Sequence, residues 1–149
     1  MIASILDACR DQLCACAAFQ SLVGAGSAVA ARAAVVRLEH GGTPFATAHA
    51  VLDRPRLRWS PGDRLMHGEA TVEGSITFPP AEGLSGAALE SWAVETVGGA
   101  IAQQLGQWSD DRVLLLAGLD IEPPVLLDLA DDLPAWYVLE LVWTWKLAP

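Results

Sequence analysis

Three cysteines, three histidines, two acidic doublets and one arginine run are the residues whose chemistry reaches beyond packing. Cys9, Cys14 and Cys16 crowd into the N-terminal segment. On a helix, Cys9 and Cys16 share a face but stand about 10.5 Å apart along the axis, at ~1.5 Å per residue, too far for a disulfide. Cys14 and Cys16 diverge around such a helix. No His or Cys follows at zinc spacing, so the thiols read as small buried hydrophobes and not as ligands or nucleophiles. His40, His49 and His67 all fall in the first half, with neither an HExxH nor a Gly-x-Ser-x-Gly pattern around them. His67 with Glu69 or Asp63 would make an acid–base couple, but the spacing suits a turn or surface histidine better. Asp110-Asp111 and Asp131-Asp132 would need further convergent oxygens to hold a divalent cation. As doublets between elements they read as turn aspartates. Gly24-Ala25-Gly26 lacks the Lys-Ser/Thr ending of a phosphate loop. These patterns offer no catalytic set, no cofactor site and no metal site.

The arginines are more informative. Residues 53–64 hold Arg54, Arg56, Arg58 and Arg64, four of the nine basic residues of the chain, with Trp59 among them. In an extended segment Arg54, Arg56 and Arg58 point to one side. Pro55 and Pro61 make the stretch a loop or edge arm and exclude a central strand. It reads first as a solvated loop, next as an arm that docks on an acidic neighbouring subunit, and last as a local phosphate or nucleic-acid contact. Residues 1–64 carry seven basic and five acidic side chains, whereas residues 65–149 carry two and thirteen. So acidic a second half disfavours wrapping nucleic acid, which needs clustered Lys and Arg. It suits contact with the arginine arm of a neighbouring copy.

The elements that would hold this arm can be read from hydrophobic period. Residues 2–18 predict an amphipathic helix with Ile5, Leu6, Cys9, Leu13 and Cys16 inward and Asp7, Arg10 and Asp11 outward. A Gly/Ala/Ser connection follows over 20–33. Short strands are expected at 34–39 and 45–52, with a turn at 40–44. Residues 69–78 alternate cleanly: Ala70, Val72, Gly74, Ile76 and Phe78 face one way, and Glu69, Thr71, Glu73, Ser75 and Thr77 the other. Pro79-Pro80 ends this strand. A long helix over 85–108, with Ser85 as N-cap, presents Leu89, Trp92, Ala93, Thr96, Val97, Ala100, Ile101, Gln104, Leu105 and Trp108 to the core. Its Gly98-Gly99 pair costs about 1 kcal/mol per residue against alanine, which points to close approach of another segment or a weak point. A strand over 113–121 breaks at Glu122-Pro123-Pro124, and 125–134 reads as an acidic connection with a helical turn. The chain closes on 134–147. There Tyr137, Leu139, Leu141, Trp143 and Trp145 form an apolar face, expected against the long helix near Trp92 and Ile101. Trp136, Val138, Glu140, Val142 and Lys146 form a mixed one. The expected fold is a single α+β domain over 1–149, with a mixed, mostly antiparallel sheet of four to five strands packed by the 85–108 helix and the N-terminal helix. A 149-residue chain, 52% hydrophobic and 18% charged, can bury such a core. No apolar run suits a membrane span, and no basic leader precedes an apolar block, so a cytoplasmic protein is expected.

The amphipathic N-terminus, the Arg/Pro arm at 54–62, the strand into Pro79-Pro80, the Trp-bearing helix at 92–108, the Leu-rich strand, the Pro-Pro break and the closing Trp-Tyr…Trp-x-Trp strand follow one another. In size and element order this resembles the small neck and tail-terminator proteins of tailed phages and phage-like elements. The resemblance implies a non-enzymatic subunit of a homo-oligomeric, hexameric ring. Such a ring caps the tail tube and joins it to the head connector, in the host cytoplasm and in the virion, and DNA passes through it without sequence-specific contact. Arg54, Arg56, Arg58, Trp59, Arg64, Trp136 and Lys146 are then the expected subunit-interface residues. The rival expectation is a small-molecule-binding or hot-dog-like enzyme domain, with Glu90 and His67 as its candidate active-site residues.

Overall fold

The structure, a computed structural model, describes residues 2–37, 47–61, 66–106, 114–127 and 135–147. Two long strands form the middle of its sheet. β4 (Met66–Phe78) and β7 (Trp136–Leu147) pair antiparallel over eleven residues, from Gly68 opposite Leu147 to Phe78 opposite Tyr137. Each long strand carries two short ones end to end on its outer side. On β4 these are β2 (His49–Leu52) and β3 (Arg56–Pro61), and on β7 they are β5 (Leu114–Ile121) and β6 (Val125–Leu127). The gaps between them hold Pro55 and Pro123-Pro124; proline lacks the N–H that a ladder needs. β1 (Val35–Arg37) adds in parallel to β2.

The α+β class is as expected, with a mixed and mostly antiparallel sheet, but the sheet has seven strands where four to five were predicted. One extra strand is β6, in the stretch read as an acidic connection with a helical turn. Three residues are too few to show a period, and Val125–Leu127 take their conformation from pairing with β7. Another is β3. The arginine stretch is not a free arm but an edge strand of its own sheet, as its prolines allow.

Among the described residues, helices cover one face only. α1 (Ile2–Ala15) stops at Cys16, whose extended backbone starts a separate α2 (Ala17–Leu22). α3 (Ala28–Ala31) follows, with Ser27 Oγ accepting from Ala30 N at 3.1 Å, and a 3-10 turn (Arg32–Ala34) leads into β1. The single helix expected over 2–18 is therefore broken, and the expected connection is partly helical. The reason is tertiary: Gln104 Oε1 accepts from Ala18 N at 2.8 Å and from Cys16 Sγ at 3.2 Å, satisfying a first-turn N–H of α2 from a distant helix. α1 is tied down at its polar side by Arg32–Asp11 (3.7 Å) and Arg37–Asp7 ion pairs.

The long helix runs Gly86–Gly106, 21 residues, as α4 (Gly86–Ser91), a π-helical stretch (Trp92–Gly99) and α5 (Ala100–Gly106). Ser85 is the N-cap residue, as expected, with extended backbone and its carbonyl accepting from Leu89 N, though its side chain makes no cap bond. The wider π turn keeps residues four apart in line. The buried stripe is accordingly Ala93, Val97, Ile101 and Leu105, and the expected members Thr96 and Gln104 lie outside it. Gly98 is buried where Pro124 crosses the helix. A Cβ there would stand 2.7 Å from Pro124 Cδ, while at Gly99 it would meet nothing closer than 3.6 Å. Gly98→Ala should therefore destabilise the fold by about 1–3 kcal/mol through overpacking. Gly99→Ala should stabilise it by about 0.5–1 kcal/mol through helix propensity. Opposite shifts in the thermal midpoint of the two variants are the check.

Candidate subunit interface

The helix side of the sheet is closed. Ala70, Val72, Ile76 and Phe78 of β4 and Tyr137, Leu139, Leu141, Trp143 and Trp145 of β7 are all buried beneath the helices. The apolar face of the closing strand is thus core, but two different helices cover it. Its Tyr137 end meets the long helix: Trp92 lies edge-on to Tyr137 at 6.5 Å, Phe78 stacks on Tyr137 at 5.5 Å, and Tyr137 Oη donates to Glu90 Oε2 at 3.1 Å. Burial and the Glu90 carboxylate push the Tyr137 hydroxyl above the usual phenol range. Glu90, a candidate residue of the enzyme expectation, is engaged in this clamp. The tryptophan end meets α1: Trp143 Nε1 donates to Gln12 Oε1 at 2.7 Å, and Trp145 Nε1 to Cys9 Sγ at 3.3 Å. Burial pushes the Cys9 thiol up to about 12 and also raises Cys14 and Cys16, so all three are poor nucleophiles near neutral pH. All three are free thiols and buried, as the sequence suggested.

The other side of the sheet has no covering layer among the described residues. Cross-strand register sorts its residues into rows. Arg58, Glu69 and Lys146 form one row, an alternation of charge across β3, β4 and β7; Arg56, Thr71 and Thr144 form the next. Arg56 reaches Glu73 at 3.9 Å, an exposed pair that contributes little to stability. Further along lies a shallow hollow of about 320 Å³ lined by Val51, Asp53, Glu73, Ser75, Glu140 and Val142. At the far corner Val125 sits opposite Val138 and Leu127 opposite Trp136.

The expected interface residues fall into two groups. Arg56, Arg58 and Lys146 share the open face, and Arg54 is exposed in the gap before β3. Trp59 registers with Gly68, on the helix side of the same edge, and is 47% exposed. Trp136 is not with them. It lies ten residues from Lys146 along β7, roughly 34 Å at the rise of an antiparallel strand, and is half-buried beside β6. Arg64 lies outside the described residues, as do Asp63, His40, Asp110-Asp111 and Asp131-Asp132. Only the backbone of His67 is described, opposite Ser60. His49 Nδ1 lies 3.0 Å from Thr47 O. Among the described residues no group of three or more His, Cys, Asp or Glu is placed to hold a metal ion.

The sequence reading overlooked the outer edge formed by β5 and β6. Val125, Leu126 and Leu127 are 59%, 44% and 39% exposed, consecutive apolar residues on a strand paired on one side only among the described residues. Asp120 and Glu122 are exposed just before them. An apolar triplet directly after a Pro-Pro break was the available signal. An open apolar edge of this kind is a template for pairing with another chain unless something covers it.

Comparison with known proteins adds no name to this arrangement: no family model matches the chain, and no characterised protein matches it significantly. Among the described residues no helix is long and apolar enough to cross a membrane.

Proposed function

We propose that this chain is a structural subunit of a tailed phage or phage-like particle. It assembles into a homo-oligomeric ring, a hexamer, that caps the tail tube and joins it to the head connector. The observation that carries the ring is the pair of sheet edges left unpaired among the described residues, one bearing Arg54, Arg56, Arg58 and Trp59 and the other Asp120, Glu122 and the Val125–Leu127 triplet. Edges of opposite charge on opposite sides of one domain favour head-to-tail contacts, which close into rings where the rotation allows. Support for the tail comes from the resemblance in element order, which the strand into Pro79-Pro80, the Trp92 helix, the Pro-Pro break and the closing aromatic strand retain. The acidic excess of residues 65–149 suits a passage along which DNA slides without sticking. The ring subunit works in the host cytoplasm during assembly and remains in the virion.

The test is the mass in solution joined to imaging. Six copies of 15.8 kDa amount to about 95 kDa. Light scattering should report that mass, and negative-stain images should show six-fold rings. A protein that stays monomeric, or stops at a closed two-fold dimer, at high concentration and in the presence of tail tubes would overturn the reading.

A further inference from the structure

We infer that the β5–β6 edge is the receptor for the β3 edge of a second copy of this chain. The inference rests on the ring reading and deepens it by assigning both halves of the contact. The two edges lie on opposite sides of the sheet, because β3 pairs only with β4 and β5 and β6 pair only with β7 among the described residues. A second copy can therefore continue the sheet with its helices on the same side.

Both sides of the sheet then match. On the open side, Arg56 and Arg58 register with Thr71 and Glu69, and Asp120 registers with Val142, so the arginines of one edge and the carboxylate of the other share a face. Exposed Glu122 follows Asp120 at the end of β5, and exposed Arg54 precedes β3. On the helix side, Trp59 projects from the β3 edge, 47% exposed. The β5–β6 edge offers on that side a largely apolar hollow of about 140 Å³ lined by Val94, Gly98, Gly99, Ala102, Ile121 and Pro124, with Glu122 also on its wall. A half-exposed indole and an apolar hollow are complementary, and an aromatic anchor in a pocket is the usual centre of a protein interface. Val125 follows directly on Pro124 of this hollow; Leu126, opposite Tyr137, shares the helix side, whereas Val125 and Leu127 lie on the open side, and pairing at this edge reduces the exposure of all three. Opposite charges set the register, and like charges exclude an edge from pairing with a copy of itself.

Two double variants and their mixture test the contact. The first is Arg56→Glu with Arg58→Glu; the second is Asp120→Arg with Glu122→Arg. All four side chains are exposed, so both proteins should fold, which circular dichroism verifies. Each variant alone places like charges across every contact, and its association should weaken at least about tenfold relative to the wild type. In an equimolar mixture every contact between unlike variants regains opposite charges, so an alternating ring of wild-type mass should re-form. A wild-type ring whose mass neither double variant changes overturns this inference and leaves the ring reading intact. So does a pair of folded, monomeric variants whose mixture remains monomeric. A wild type that is monomeric under every condition, tail tubes included, overturns both.

Discussion

Trp143→Ala should lower the unfolding free energy by about 3–5 kcal/mol, the usual cost of truncating a fully buried aromatic side chain. Trp143 has no solvent exposure, and the surrounding structure is built to its outline. Gly74 lies diagonally across β4, where a Cβ would stand 2.8 Å from the indole ring and 3.2 Å from Leu52. A glycine in the middle of the best alternating strand is thus the space that the indole fills. Truncation opens a cavity bounded by backbone on the β4 side and by α1 above, and neither can move in without breaking the sheet or the helix layer. It also strands the Gln12 side-chain oxygen, whose partner is the indole N–H. Urea unfolding followed by circular dichroism measures the loss. A cost below about 1 kcal/mol would mean that this face is not core. Trp136→Ala is the matched control. It removes the same ring from the half-buried, open side of the same strand and should cost clearly less.

What could be read in the sequence tracks how locally each feature is determined. The alternation of residues 69–78 and of the closing strand set which side chains face inward, and Val72, Ile76, Trp143 and Trp145 are buried as that period requires. The edge position of the arginine strand followed from Pro55 and Pro61. The Gly98-Gly99 pair signalled a close approach, and Pro124 makes it. Features decided at a distance were not legible. The break at Cys16 depends on Gln104, a helix away, and β6 exists only because β7 is there to pair with it. The π-helical stretch narrowed the stripe of the long helix and left Thr96 and Gln104 outside it, and a 3.6-residue template contains no such option. The proposed interface was half legible for the same reason. Clustered arginines are visible in one dimension, whereas Asp120, Glu122 and Val125–Leu127 become one edge only after the sheet has formed.

Gln12 is the residue on which two helices and the sheet converge, and Gln12→Leu should cost about 2–4 kcal/mol. It is the one fully buried polar side chain among the described residues. Its oxygen accepts from Trp143 Nε1 at 2.7 Å, and its Nε2 donates to the carbonyl of Leu105 at 3.1 Å. That carbonyl belongs to the last turn of α5, where no residue ahead in the helix can bond it. Gln12 therefore completes the end of one helix and pairs the indole of the central strand, from a position on a third element. Leucine has nearly the same volume, so packing changes little, but two buried groups lose their partners at about 1–3 kcal/mol each. Coupling between the two residues separates a lost hydrogen bond from simple misfit. In Trp143→Phe the ring stays apolar and large but has no N–H to satisfy. Gln12→Leu combined with Trp143→Phe should therefore be less destabilised than the two single losses added together, by at least about 1 kcal/mol. Denaturant midpoints of the four proteins in the cycle provide the measurement. Strict additivity would show that the hydrogen bond between Gln12 and Trp143 is not what the buried amide is there to make.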